Sequence, residues 1–164
     1  MIALLSVLAL LAAADAPGGW PELFPKLGNF SQVASPPMVA KGDKPEVYSQ
    51  SVKYDWMGGR FEVITITVSR DPKIKARYTA EAFKKSDPSP QSFEVNKKPA
   101  WVWNFDKIDK LEQVRKRLVV VLADDTLLML EQRGAGLDLE EVAKQFDFDA
   151  VVKALKTPPA TKKE

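Results

Sequence analysis

Residues Arg117–Gly134 read RLVVVLADDTLLMLEQRG, and this stretch decides the fold class. Two unbroken apolar runs, Leu118 to Ala123 and Leu127 to Leu130, flank the pair Asp124 and Asp125. A strand that is apolar on both faces belongs in the middle of a sheet with material packed on each side. The aspartates between the runs mark a tight turn, because short polar side chains hydrogen-bond to their own backbone there. The stretch is therefore a central β-hairpin.

Upstream lies a second hairpin. In EVYSQSVKYDWMGGRFEVITITVSRD, residues 46–71, Tyr48, Val52, Tyr54 and Trp56 alternate with polar residues, Gly58 and Gly59 interrupt, and β-branched residues follow. Period-two alternation bounded by glycines signals two strands and their turn, the glycines supplying positive φ. Ile64, Ile66 and Val68 share one face and Phe61 and Val63 the other, so both faces of this return strand are expected to be at least partly covered. Pro72 to Ser86 loses that period and suits one short helix, with Tyr78, Ala82 and Phe83 on a common side. The prolines of SDPSP end it. Strands at Gln91–Val95 and along AWVWNF follow, joined by NKKP. Asp106 to Arg117 is charged apart from Ile108, Leu111 and Val114, and reads as a helical turn or a hairpin excursion.

GAGLDLEEVAKQFDFDAVVKAL, residues 134–155, reads as helix. Asp138 with Glu141 three residues on makes an N-cap pairing, Asp147 or Asp149 caps a second piece after a kink, and Leu139, Val142, Ala143 and Phe146 form the apolar face. Strands with interspersed helices, but without regular βαβ alternation, give an α+β class with a mainly antiparallel β-sheet packed with a C-terminal helix and one or two shorter helices.

Residues Met1 to Ala14, MIALLSVLALLAAA, carry no charged side chain and end in small residues. The apolar run is too short to span a bilayer comfortably and has the length of a signal-peptide core. Two A-x-A sites overlap, and Pro17 disfavours the later one. The expected division is a signal peptide over 1–14, a Pro/Gly-rich N-terminal strap over 15–45, a single α+β domain over 46–156 and a disordered polar tail over 157–164. Trp20 and Phe24 are the expected anchors of the irregular strap. The expected localisation is export, to the periplasm or the exterior, with no stable transmembrane segment after signal removal.

Composition narrows the chemistry. The 164 residues contain no Cys and no His. That removes thiolate nucleophiles, disulfides, imidazole bases and most zinc sites. A net charge of +2, with Lys and Arg interleaved among Asp and Glu, gives no basic stripe for nucleic acid. Asp124 and Asp125 are adjacent and diverge on a strand or turn, so they read as a turn and not as an acid–base pair. The acidic group Asp138, Glu140, Glu141, Asp147 and Asp149 lacks the spacing of a calcium loop and reads as helix capping. GAG before a helix lacks the following Lys-Ser or Lys-Thr of a phosphate loop. No catalytic residue, metal site or cofactor is expected.

Trp101, Trp103 and Phe105 alternate in PAWVWNF, residues 99–105. They read first as core, and otherwise as an exposed platform for a ligand or partner, with Tyr54 and Trp56 alongside if the register allows. The functional expectation is a non-enzymatic binding or accessory protein of the cell envelope, whose partner is an envelope protein or an apolar or carbohydrate ligand held between sheet and terminal helix. The alternatives are a hydrolase or transferase using carboxylates or a Ser-Lys pair, and an accessory subunit that docks through its strap. N-terminal sequencing of the exported chain should begin at Asp15, and Ala14→Arg, which spoils both small-residue sites, should leave the precursor unprocessed.

Overall fold

The computed structural model of the chain describes residues 20–40, 47–58, 61–84, 86–105, 113–134 and 136–157. The signal segment, Gly59, residues 106–112 of the excursion after Phe105 and most of the polar tail lie outside them. Eight strands form one antiparallel sheet: β1 Phe30–Ala34, β2 Met38–Val39, β3 Tyr48–Trp56, β4 Glu62–Arg70, β5 Gln91–Val95, β6 Lys98–Asn104, β7 Lys116–Ala123 and β8 Thr126–Gly134. The order is β1-β3-β4-β8-β7-β6-β5, with β2 also on β3. Four short helices, α1 Ile74–Arg77, α2 Ala80–Phe83, α3 Leu139–Ala143 and α4 Phe148–Ala154, complete the α+β fold among the described residues.

The Arg117–Gly134 hairpin is β7 and β8, and both of its strands are interior. Its two apolar faces are needed because the sheet is covered twice. On the first face Tyr48, Val52, Tyr54, Ile64, Ile66, Val68, Leu118, Val120, Leu128 and Leu130 pack against α3, α4 and the N-terminal residues Trp20, Phe24 and Leu27. On the second face Trp101, Trp103 and Val119 pack with Tyr78 and Phe83 of the β4–β5 crossover. Val63 is also buried on that face, opposite Ile64, as the alternation of β4 requires.

Two local outcomes differ from the sequence reading. The strap is not wholly irregular: Phe30–Ala34 pairs with Trp56–Val52, and Met38–Val39 pairs with Ser49–Tyr48. Composition hid this, since Pro36 and Pro37 split the edge into two pieces, and proline is compatible with an edge strand. Trp20 and Phe24 are buried anchors, Trp20 against Tyr48 at 5.7 Å and Phe24 edge-on to Phe146 at 6.3 Å. Gln50, buried in β3, accepts from Trp20 N through Oε1 at 2.6 Å and donates to the Ser35 carbonyl at 3.1 Å, satisfying both ends of its amide. The segment after Pro72 is two helices, not one. Thr79 is extended between them (φ −128°, ψ 154°), and its hydroxyl accepts from Ala82 N at 3.1 Å, a cap that outcompetes continuation of α1.

Two turns are set by local sterics. Asn96 and Lys97 both have positive φ, 48° and 63°, which makes the β5–β6 connection a two-residue hairpin of the twist-matched kind. At the end of β8 a Cβ on Gly134, whose φ is +82°, would stand 2.1 Å from the Phe61 carbonyl oxygen, so only glycine fits there. Gly58 is similarly covered, by the ring of Trp56.

The C-terminal helix is held by Arg70. Its Nε donates to Asp125 Oδ2 at 2.6 Å, and its Nη1 donates to Tyr48 Oη at 2.8 Å and to the Lys156 carbonyl at 3.2 Å. Tyr48 in turn donates to the Leu155 carbonyl at the end of α4. Burial of Asp125 works against its charge, but hydrogen bonds from Thr126 and Arg70 outweigh it and hold the carboxyl below its ordinary range. A depressed folded pKa contributes stability above the unfolded value of about 3.8 that is lost as pH falls through the folded value. Asp125→Asn should therefore flatten the acid limb of a urea-stability profile below about pH 4. Arg70→Leu should lower stability at pH 7 by about 1–3 kcal/mol, since it leaves a partly buried carboxylate and a helix end without their donor.

Candidate functional site

The sheet places the five aromatics of the sequence reading on two different faces. Tyr54 and Trp56 belong to the first face near β1. Tyr54 is fully buried, its hydroxyl donates to the Pro25 carbonyl at 2.8 Å, and burial pushes its pKa up; Trp56 meets Phe30 edge-on at 5.1 Å. Trp101, Trp103 and Phe105 belong to the second face of β6, which three strands separate from β3. The register that would have set Tyr54 and Trp56 beside Trp101 and Trp103 is not the one adopted.

Trp101 and Trp103 are each 8 % exposed. Phe83 of α2 lies edge-on to both, with ring centroids at 5.6 and 5.0 Å, and Tyr78 packs edge-on to Phe83 at 6.0 Å. Edge-to-face stacking of this kind adds about 0.5–1.5 kcal/mol beyond area burial. Phe105, half-buried at the end of β6, carries the Arg117 guanidinium 5.8 Å from its ring centre, and Arg117 also donates to Glu131 at 2.6 and 2.8 Å. Trp101 retains one opening: with Ala80, Phe83, Lys84, Ser89, Pro90 and Ser92 it lines a shallow cavity of about 230 Å³.

A larger cavity is on the other face of the same sheet end. About 360 Å³ lies between the start of α3 and strands β5, β6 and β7. Phe93, Val102, Leu118 and Leu139 give it an apolar floor. Gln91, Asn104, Lys116, Asp138 and Glu140 form a polar rim. Leu118 and Leu139 are buried, Phe93 and Val102 half-buried, and Gln91, Asn104 and Asp138 exposed.

This rim is built by the fold behind it. Glu62, 2 % exposed in β4, accepts from Leu137 N at 2.8 Å and from Gln132 Nε2 at 3.3 Å, and Gln132 Nε2 also donates to the Leu137 carbonyl at 3.0 Å. A buried carboxylate and a buried amide thus pin Leu137, and with it the start of α3. Asp138 caps that helix, Oδ1 accepting from Glu140 N at 2.9 Å, and Glu140 pairs with Lys144 at 2.9 Å. Asp147 caps α4 by accepting from Ala150 N at 3.0 Å. Asp138, Glu140 and Asp147 therefore cap or pair, and no group of metal-ligating side chains occurs among the described residues.

The turn aspartates have structural partners too. Besides the Arg70 contact of Asp125, Asp124 pairs with Lys75 at 2.9 Å, and the Asp124 and Asp125 carbonyls accept from Lys75 N and Asp71 N at 3.0 and 2.9 Å. The turn clasps the start of the crossover.

Sequence reading did not single out Gln91, Phe93, Val102, Asn104 and Lys116. Their alternation within β5, β6 and β7 is visible, but only the cross-strand pairing shows that they share a face with Leu118 and the α3 cap. No protein-family model matches the chain, and no curated protein or solved structure is significantly similar to it.

Phe83→Ala should uncover the Trp pair. The expected result is a red shift and stronger acrylamide quenching of Trp emission, assigned with Trp101→Phe and Trp103→Phe, and a loss of about 2 kcal/mol, below the cost for a fully buried Phe.

Proposed function

We propose that this chain is exported and works by binding, as a ligand-binding or accessory protein of the cell envelope, with the groove between β5–β7 and α3 as its ligand site. The apolar segment Met1–Ala14, with its small-residue exit, supports export. The groove is the observation that carries the binding reading. Its volume of about 360 Å³ falls in the lower part of the usual range for small-molecule sites, and an apolar floor under a few polar groups is the usual composition of such sites.

The rim supports a neutral, amphipathic ligand. Gln91 and Asn104 each offer a donor and an acceptor, while Lys116 faces two carboxylates of opposite sign, so a strongly charged ligand meets repulsion from one side or the other. A group with an apolar face and neutral hydrogen-bonding edges suits it: a sugar, or the backbone and side chain of a peptide. The engagement of Asp124, Asp125, Asp138 and Glu140 in capping and ion pairs supports binding over carboxylate catalysis.

Titration of the isotopically labelled exported chain with a glycan panel and a peptide panel should shift the amide signals of Phe93, Asn104 and Leu139. Val102→Phe, which fills the floor, should weaken that binding at least about tenfold, ~1.4 kcal/mol, while thermal unfolding stays cooperative. Ligands that shift only signals elsewhere, or that ignore Val102→Phe, would remove the groove from consideration.

A further inference from the structure

We infer that the free edge of β5 takes up an extended segment of a partner protein by strand addition, with side chains entering cavities on both faces of the sheet. The inference rests on the binding reading above and names its partner. Among the described residues β5 pairs only with β6, which leaves its other side as an edge. The two-residue turn at Asn96 and Lys97 makes Val95 and Lys98 a hydrogen-bonded pair. Counting back by twos, Phe93 and Gln91 also bond to β6, which leaves the N–H and C=O of Ser92 and Glu94 pointing outward. Pro99 agrees with this phase. Its side of β6 faces β7, and the β6–β7 pairing stops at Ala100, so the missing N–H breaks no ladder.

An added strand sends alternate side chains to opposite faces, and at this edge both faces are hollow. The groove with Phe93 and Leu139 lies on one face, the cavity over Trp101 and Phe83 on the other, and Ser92 lines both. An edge flanked by a single cavity would suit a small ligand. Two cavities one residue apart on opposite faces match the period of an extended chain.

The residues of β5 specify the partner. Glu94 is exposed and makes no ion pair with any described residue. A like charge opposite it would be repelled and a basic side chain attracted, because directly opposed side chains on neighbouring strands interact. In an antiparallel addition, the residue opposite Glu94 is basic, the next, opposite Phe93, places an apolar side chain in the groove, and the third, opposite Ser92, places an apolar side chain over Trp101. The partner segment thus reads basic, apolar, apolar.

The test uses the labelled exported chain and the blocked peptide Ser-Thr-Lys-Val-Leu-Thr-Ser, beside the same peptide with Glu in place of Lys. Saturation with the Lys peptide should slow amide exchange at Ser92 and Glu94 at least about tenfold and shift the Trp101 indole signal. Glu94→Lys should reverse the preference between the two peptides. Ser92→Pro, which removes an outward N–H, should abolish binding while Trp emission reports an intact fold. Strand addition is overturned by an absence of binding, by binding without slower exchange at Ser92 and Glu94, by indifference to Glu94→Lys, or by a homodimer formed through β5. If a glycan shifts Phe93 and Leu139 while the peptide does not, the groove stands and strand addition falls. If neither reaches the groove, both fall.

Discussion

Arg70 is the point at which the separate pieces of this molecule are tied together. It ends β4, the strand from which the chain leaves the sheet, and its guanidinium reaches β3 through Tyr48, the β7–β8 turn through Asp125 and the end of α4 through the Lys156 carbonyl. A guanidinium suits this position because its donors fan out in a plane and its charge does not titrate in the accessible range. The end of a helix presents carbonyls without intrahelical partners, and a cation there satisfies both the hydrogen-bonding need and the dipole. The sheet and the helical layer are therefore registered by one side chain as well as by apolar contact, which is non-directional and would tolerate sliding.

The crossover from β4 to β5 explains the fate of the two tryptophans. β4 is central and β5 is the far edge, so the connection must pass over β8, β7 and β6 on one face. It does so as α1 and α2, and its Tyr78 and Phe83 need apolar surface beneath them. Trp101 and Trp103 supply that surface. After β8 the chain returns over the opposite face as α3 and α4, and the N-terminal residues fill what those helices leave uncovered around Tyr48 and Tyr54. Each face is covered by the segment that topology forces across it.

Much of this was legible in residue order, and the rest was not for identifiable reasons. The unbroken apolar runs Leu118–Ala123 and Leu127–Leu130 announced interior strands, and the alternation around Val52 and Ile66 announced a hairpin, because strand periodicity is local. The caps at Asp138 and Asp147 were legible for the same reason. The register of β6 against distant strands was not, and so Trp101 and Tyr54 were readable as neighbours when the sheet sets them on opposite faces. β1 was hidden by its composition, since FSQVA is short and lies between Gly28-Asn29 and Pro36-Pro37, and pairing with the edge of β3 makes it a strand. The groove could not be read at all, because its lining comes from three strands and a helix cap and no segment carries more than a few of its residues.

The two ends of the sheet are finished differently, and the difference bears on where a partner would sit. At the β1 end the edge is broken by Pro36 and Pro37, and the inner face is filled by Trp20, Phe24, Leu27 and Phe30. At the β5 end the helical layer stops short: α3 reaches Leu118 and Val102 but leaves the groove open beyond them, and α2 leaves the cavity beside Trp101. Unfilled volume beside packed aromatics forfeits dispersion contacts, so the two hollows at the β5 end leave packing unmet on both faces of that edge. That edge also carries outward backbone groups and the charge of Glu94, which makes no ion pair with any described residue. Directional donors, hollows at alternate positions and an exposed carboxylate then coincide along five residues, Gln91–Val95, and an extended chain would answer all three at once.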